Sequence, residues 1–132
     1  MPNPVVHFEM PYANADRVSA FYSKAFGWTM AATPPEMGGY VTAQTAETDA
    51  NRMVATPGTI NGGFYDQKAP QSSPMPSVVI SVDDIEAAMT AITGAGGIIV
   101  SQPQEIPGIG MWAVFTDSEG NRVSILQAAP RK

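Results

Sequence analysis

The stretch PVVHFEMPYANADRVSAFYSKAFGWTM, residues 4–30, changes from a period of two to a period near 3.6. At its start, alternation places Val5, His7 and Glu9 on one face of a strand, with apolar side chains on the other face. Further on, apolar residues recur at helical spacing, namely Val18, Phe21, Tyr22, Ala25 and Phe26. The stretch therefore predicts a strand followed directly by an amphipathic helix.

Capping residues mark the ends of this helix and of a second one like it. Asn14 or Asp16 is suited to cap the start of the first helix, and Gly27 to end it. The second helix is predicted over Asp83–Thr93, with Asp83 or Asp84 as its cap and a stop in the region 94–97. Both helices are expected to bury one apolar face against a sheet. Three stripe residues are accordingly predicted to be ordinary core: Phe21, Phe26 and Met89.

Strand-like segments surround both helices in the same order. They are 4–10, 28–33, 39–45 and 59–65 in the first half, and 77–82, 98–101, 109–116 and 122–127 in the second. The segment DQKAPQSSPMP, residues 66–76, is typical of a linker. This order is an internal repeat, and we expect one domain, 1–132, made of two βαβββ modules at about 3–66 and about 76–128.

The composition excludes several classes of function. The 132 residues include 7 basic and 12 acidic side chains, one histidine and no cysteine, with a net charge of −5. Disulfides, thiolate metal sites and zinc sites built on several histidines are therefore excluded within one chain. Scattered basic residues in an acidic chain argue against nucleic acid and anionic membranes as partners. Because no apolar run approaches the roughly 20 residues of a membrane span, we expect a soluble, cytoplasmic protein.

Five segments in order carry a family resemblance. They are HFEMP at 7–11, FYSKAFGW at 21–28, ISVDD at 80–84, AGG at 95–97 and IPGIGMWAVFTDSEGN at 106–121. Together they resemble the vicinal oxygen chelate superfamily, which includes glyoxalases, bleomycin-resistance proteins and extradiol dioxygenases. The resemblance implies an α+β fold of two βαβββ modules forming a partly open, curved, mixed β-sheet barrel with the helices outside. It also implies a homodimer.

The enzymes of this superfamily hold a divalent metal with one side chain from the first and one from the last strand of each module. His7 matches the first of these positions, whereas Ser77 and Ser124 stand at the matching positions of the second module. The last strand of the first module offers only Asn61, and Gln127 would enter only in another register. With His7 as the one matching ligand, we expect no cofactor, and Zn, Ni, Fe or Mn remains the alternative.

The remaining candidate site residues follow from residue type and position. His7 and Glu9 are candidates for catalysis, because imidazole and carboxylate groups serve as acids and bases. The candidates for ligand contact are Tyr40, Trp112, Ser77 and Ser124. Tyr40 and Trp112 could equally belong to the core, and the sequence leaves open which strand face lines a cavity. The glycine pair at 62–63 is interpreted as a bulge or a strand bend.

Three functions are compatible with these residues. The leading hypothesis is a glyoxalase/bleomycin-resistance-like protein that binds a small, partly hydrophobic organic molecule in the sheet cavity without the four-ligand metal site. The alternative is a divalent-metal-dependent lyase, isomerase or dioxygenase with a noncanonical site around His7 and Glu9. A third hypothesis is an accessory protein whose role is assembly alone. Whether the protein is an enzyme is left open by the sequence.

Overall fold

A computed structural model of the chain describes residues 2–34, 38–50, 54–69 and 73–129. The elements in chain order are β1 (Val5–Tyr12), α1 (Ala15–Phe26), β2 (Thr29–Ala32), β3 (Val41–Gln44), β4 (Asn61–Asp66), β5 (Ser77–Ser81), α2 (Ile85–Gly94), β6 (Ile98–Ile99), β7 (Gln104–Ile106), β8 (Gly110–Thr116) and β9 (Arg122–Ala128). The predicted α+β class and the repeated order of strand, helix and strands are confirmed. The short strand β7 was not predicted, because three residues cannot display an alternating pattern.

The chain comprises two compact units. The first unit holds residues 7–76, and the second unit holds the residues from Ser77 onward together with those that precede His7. Of the predicted linker 66–76, residues 70–72 lie outside the described part of the chain. Tyr65 contacts the later part of this segment, because its hydroxyl donates hydrogen bonds to the carbonyl oxygens of Ser73 at 2.7 Å and Met75 at 3.1 Å.

The sheet of the first unit has the strand order β2-β3-β4-β1. Neighbouring strands are antiparallel except β4 and β1, which run parallel with His7 opposite Asn61 and Glu9 opposite Gly63. Because β1 and β4 come from opposite ends of the module, this pairing aligns residues more than fifty positions apart.

One face of this sheet packs against α1 and forms the core of the first unit. Its buried residues are Tyr12, Val41, Ala43 and Phe64, and Phe8, Met10, Val18, Tyr22 and Trp28 are among those packed against them. Since Phe8 and Met10 of β1 lie on this side, alternation turns His7 and Glu9 to the opposite face. We call that opposite side the polar face of the first unit; it carries His7, Glu9, Asn61 and Tyr65.

The second unit repeats this arrangement with α2. Its strand order is β5-β9-β8-β6, with β5 and β9 parallel and β7 paired to β8. The core beneath α2 contains Val82, Ile85, Ala113, Phe115 and Ile125, and Met89 packs against it as predicted. Each sheet therefore has one face that its own helix covers.

The helix ends agree with the predicted caps. The side chain of Asn14 accepts a hydrogen bond from the Arg17 amide at 2.9 Å, and Gly27 ends α1 in the left-handed conformation at φ 73°. Asp84 accepts a hydrogen bond from the Ala87 amide at 3.1 Å in the same way. Neither of the two described helices is long and apolar enough to cross a membrane.

The prediction that Phe21 and Phe26 are core residues is wrong. They are 57% and 63% exposed and contact each other with ring centroids 6.4 Å apart. The core of the first unit is covered instead by Val18 and Tyr22, which lie on the other edge of the same stripe. A wide apolar stripe predicts a helix, but its spacing does not tell which edge meets the sheet.

Candidate functional site

The hydroxyl of Tyr40 joins the two ionisable side chains of β1 on the polar face. It lies 3.0 Å from Nε2 of His7. The carboxylate of Glu9 interacts with the same hydroxyl through a hydrogen bond and through its charge. All three side chains are half-buried. The predicted site residues His7, Glu9 and Tyr40 thus form one connected group, which we call the His7–Tyr40–Glu9 cluster.

Two features of the chain hold Tyr40 in this place. Its carbonyl oxygen accepts hydrogen bonds from the backbone amide of Thr33 at 3.0 Å and from the Thr33 hydroxyl at 2.6 Å. Its ring lies directly over Gly63, where any Cβ atom would overlap the ring and the hydroxyl. The position of Tyr40 therefore depends on Thr33, which directly follows β2, and on Gly63 of β4.

The interpretation of Gly62 and Gly63 as a bulge or bend is wrong. Both lie in the regular pairing of β4 with β1 and β3, outside the positive-φ glycines. A Cβ at Gly62 would overlap the Phe8 ring, just as one at Gly63 would overlap Tyr40. The two glycines make room for one aromatic ring on each face of the sheet. The signal available in the sequence was the pair itself, but it does not identify the rings.

Burial sets the ionisation of the cluster. It lowers the pKa of His7 below its usual 6.5, because an imidazolium loses hydration there. It also raises the pKa of the Tyr40 hydroxyl strongly, with the charge and the hydrogen bond of Glu9 acting in the same direction. At neutral pH the cluster therefore contains an uncharged imidazole and a protonated phenol.

The side chains at the expected metal-ligand positions do not fit a four-ligand metal site. Asn61 Oδ1 already accepts hydrogen bonds from the amides of Thr45 and Ala46, at 2.8 and 3.0 Å. Gln127, the alternative in a shifted register, accepts a hydrogen bond from the Ile85 amide at 2.8 Å and so caps α2. Within the part of the chain that the structure describes, no three His, Cys, Asp or Glu side chains gather as a metal group.

The other predicted ligand-contact residues lie in the second unit. Ser124 is buried on β9 opposite Val79, and Trp112 of β8 is paired with Leu126 in register. Alternation against the core residues Ala113 and Ile125 puts Trp112 and Ser124 on the sheet face away from α2. Ser77 begins β5 on the same face, because Val79 follows it by two. A role for these three side chains in ligand contact stays a prediction.

Fold and site together define an α+β protein with two repeated modules and a polar cluster on the face of the first sheet opposite α1. The family model of the Glyoxalase/Bleomycin resistance protein/Dioxygenase superfamily matches residues 5–125. The chain belongs to this superfamily, and the resemblance found in its sequence is confirmed.

Curated relatives share part of their length with this chain. "Putative glyoxylase CFP32" of Mycobacterium bovis is 35% identical over 65 residues, which cover 45% of this chain and 25% of that protein. "Anthracycline biosynthesis protein DnrV" of Streptomyces peucetius is 26% identical over 129 residues, covering 90% of this chain and 45% of that protein. The chain thus spans less than half the length of these relatives.

Solved structures share the fold over nearly the whole chain. A methylmalonyl-CoA epimerase variant of Streptomyces coelicolor in complex with 2-nitronate-propionyl-CoA has a TM-score of 0.68 at 13% identity, covering 96% of this chain and 97% of that one. Protein BH1468 of Bacillus halodurans has a TM-score of 0.70 at 12% identity, covering 100% and 99%. At this level of identity the likeness establishes the fold and leaves the chemistry to the site residues.

Proposed function

We propose that this protein binds a small, partly hydrophobic organic molecule on the polar face of the first unit, in the manner of the superfamily's bleomycin-resistance members. The observation that carries the proposal is the His7–Tyr40–Glu9 cluster, in which three half-buried polar side chains are joined by hydrogen bonds. Two similarities support the proposal. The chain belongs to a superfamily whose name includes bleomycin-resistance protein, and one of the chain's relatives is named for anthracycline biosynthesis. Binding in this proposal uses side chains and no metal.

The chemistry of the cluster suits recognition of an organic molecule. The Tyr40 ring offers apolar surface, while His7 and Glu9 supply hydrogen-bonding groups beside it. Binding sites for small molecules typically combine an apolar lining with a few convergent polar groups. The contact of the Tyr40 ring with Gly63 fixes the ring without help from a ligand. A site that is ordered before binding loses less conformational entropy when the ligand arrives.

A thermal-shift screen against a panel of metabolites and antibiotics tests the proposal. A compound that binds only the folded protein raises its melting temperature in proportion to the logarithm of its concentration. We expect at least one compound to stabilise the native protein, and Tyr40→Phe to weaken that effect. Tyr12→Phe is the matched control, because the Tyr12 hydroxyl bonds the Gly39 carbonyl within the core side of the same unit. Equal weakening by both variants, or no stabilising compound at all, would contradict the proposal.

A second candidate is a divalent-metal-dependent lyase, isomerase or dioxygenase acting at His7 and Glu9. The observation that favours it is that an imidazole and a carboxylate, both common metal ligands, meet at one hydroxyl. Elemental analysis of protein purified without chelator distinguishes the two candidates. Near-stoichiometric Zn, Ni, Fe or Mn that is lost in His7→Ala would favour this enzyme over the binding protein.

A further inference from the structure

We propose that the outward side of α1 binds an acidic protein segment that also carries an apolar side chain. We call this side of the helix the α1 surface; it consists of Arg17, Phe21, Lys24 and Phe26 together with a groove beside Phe21. None of these residues belongs to the His7–Tyr40–Glu9 cluster, so binding at the α1 surface is independent of small-molecule binding at the cluster.

The two phenylalanines of the α1 surface form an exposed apolar patch. Phe21 is 57% exposed and Phe26 is 63% exposed, and their ring centroids lie 6.4 Å apart. Phe21 also meets the Tyr22 ring edge to face at 5.0 Å, and Tyr22 is stacked on Trp28 at 4.6 Å. Since Tyr22 and Trp28 pack against the core, these contacts restrict Phe21 before any partner arrives. A pre-ordered aromatic patch is typical of a binding surface, because its ordering costs little on association.

The groove beside Phe21 offers space for an apolar side chain. Its volume is about 310 Å³, and its walls include Pro11, Tyr12, Val18 and Phe21. Among the described residues that line it, Arg17 carries the only charge. This volume is at the lower limit for small-molecule pockets, about 300 Å³, and suits single side chains of a partner. Apolar side chains seated in such pockets contribute most of the affinity of many protein–protein contacts.

Two cations accompany the apolar residues on the same side of the helix. Arg17, Phe21 and Lys24 are spaced by four and three positions, so their side chains are neighbours on the helix surface. With these two cations and Asp16, α1 has a net charge of +1, whereas the whole chain has −5. No ion pair of Arg17 or Lys24 is found in the described part of the chain. A partner of complementary charge is therefore acidic at this surface.

The charges favour an acidic segment over two other occupants. A second copy bound through a two-fold axis would place the α1 surface against itself, so that Arg17 and Lys24 would meet cations of the other copy. An anionic membrane would repel a chain with a net charge of −5. A short segment brings its acidic groups to α1 alone, and its apolar side chain fills the groove.

Selection of a random-peptide phage library on the full chain provides the probe. We expect enriched peptides that combine Asp or Glu with Leu, Phe or Trp, and fluorescence anisotropy measures their affinity. Phe21→Ser should weaken the enriched peptide at least about fivefold, as expected for an apolar anchor. Ile98→Ser is the control, because it removes a 67% exposed apolar side chain from β6 and should leave the affinity unchanged. Circular dichroism checks that both variants fold.

Arg17→Gln/Lys24→Gln tests the charge of the α1 surface. We expect the affinity to fall at least about twofold, the combined effect of two exposed ion pairs. Added salt should weaken binding to the native protein more than binding to this variant. Ala87→Glu/Ala91→Glu is the control, because it lowers the net charge by the same amount at exposed positions of α2.

Four results would overturn binding of an acidic segment at the α1 surface. The selection yields no peptide, or only peptides without acidic residues. The enriched peptide binds Phe21→Ser and Arg17→Gln/Lys24→Gln as tightly as it binds the native protein. Phe21→Ser converts a dimer to a monomer in light scattering, which would assign the surface to a second copy. The chain binds phosphatidylserine vesicles through Phe21, which would assign the surface to a membrane.

Discussion

At the scale of single residues, the hydroxyl of Tyr40 connects the candidate site. Without it, His7 and Glu9 would be two separate polar side chains on one strand face, since they are linked through its contacts with each of them. The hydroxyl also stays protonated over the whole physiological range, because burial and the nearby carboxylate both raise its pKa. Because it keeps its proton, the phenol connects the imidazole and the carboxylate.

Tyr40→Phe removes this connector and keeps the ring over Gly63. The change should lower the free energy of unfolding by about 1 kcal/mol, since His7 and Glu9 each lose a hydrogen-bond partner at a half-buried position. Urea denaturation followed by circular dichroism measures the loss. Thr42→Val provides a comparison on β3, because its hydroxyl bonds the Ala31 carbonyl at an exposed position and should contribute less. An unchanged stability for Tyr40→Phe would contradict the hydrogen-bonded cluster.

The lowered pKa of His7 predicts the direction of a pH effect. In the unfolded chain the imidazole takes up a proton near pH 6.5, whereas in the folded protein it does so only at lower pH. The unfolded state therefore binds more protons in this interval, so stability is full above pH 6.5 and decreases as the pH falls toward the folded pKa.

Denaturation at pH 8 and pH 5.5 measures this effect, and His7→Gln should reduce the difference. Asp117 does not disturb the comparison, because hydrogen bonds from Asn121 lower its pKa from 3.8, well outside the interval. A native protein that becomes more stable between pH 6.5 and 5.5, relative to His7→Gln, would contradict the burial of a neutral imidazole.

At the scale of the elements, strand β4 positions the site because Gly63 has no side chain. Gly63 sits opposite Glu9 on β1 and opposite Thr42 on β3, in the middle of a regular ladder. The Tyr40 ring occupies the space that a side chain at position 63 would fill. Glycine in a strand interior weakens the strand. At position 63 the glycine is useful because it leaves room for Tyr40.

Gly63→Ala should therefore displace Tyr40 and destabilise the protein by about 1–3 kcal/mol, the usual effect of overpacking. Gly94→Ala is the control, because Gly94 ends α2 with open space around its Cβ position, and alanine there is neutral or slightly stabilising. Thermal unfolding compares the two, and ¹⁵N-histidine NMR shows whether Tyr40 has left His7. Equal melting temperatures for the two variants would contradict the packing of Tyr40 on β4.

The elements themselves were largely predictable from the sequence, and the contacts between them were not. The alternation in β1 correctly placed His7 and Glu9 on one face, and the caps at Asn14 and Gly27 correctly bounded α1. The sequence leaves Tyr40 open between ligand contact and core, because the hydrogen bond of its hydroxyl reaches His7, 33 positions earlier. Such contacts depend on strand pairing and on the glycine at position 63, neither of which leaves a periodic signal.

The side chains at the expected metal positions also depend on contacts that leave no signal in the sequence. The family pattern makes Asn61, and Gln127 in another register, possible metal ligands. The structure shows that both amide oxygens accept backbone hydrogen bonds, one between β3 and β4 and one at the start of α2. Residue type allowed either role, and only the local backbone decides which partner is within reach.

At the scale of the whole molecule, the chain has the superfamily's fold, while its side chains do not match the four-ligand metal site that the resemblance implies. The superfamily model covers residues 5–125, while the four positions expected to hold a metal offer one imidazole, an engaged amide and two hydroxyls. Proteins with the same fold can have different chemistry, because function resides in the side chains of the site.

The superfamily resemblance implies a homodimer, and this stays a prediction for the present chain. Multi-angle light scattering should give a mass twice that calculated from the 132 residues. The measurement belongs at several protein concentrations, since a dimer in equilibrium with its monomer changes mass on dilution. A mass equal to one chain at every concentration would contradict the prediction.

Binding at the His7–Tyr40–Glu9 cluster is tested by chemical-shift mapping with the most stabilising compound of the screen. The compound is titrated into uniformly ¹⁵N-labelled protein, and the perturbed amides and the His7 ring are assigned to the sheet. We expect the largest changes at His7, Glu9 and Tyr40, with at least a severalfold loss of affinity in Tyr40→Phe. Changes confined to the exposed Phe21 and Phe26 of α1, with His7 unaffected, would contradict binding at this cluster.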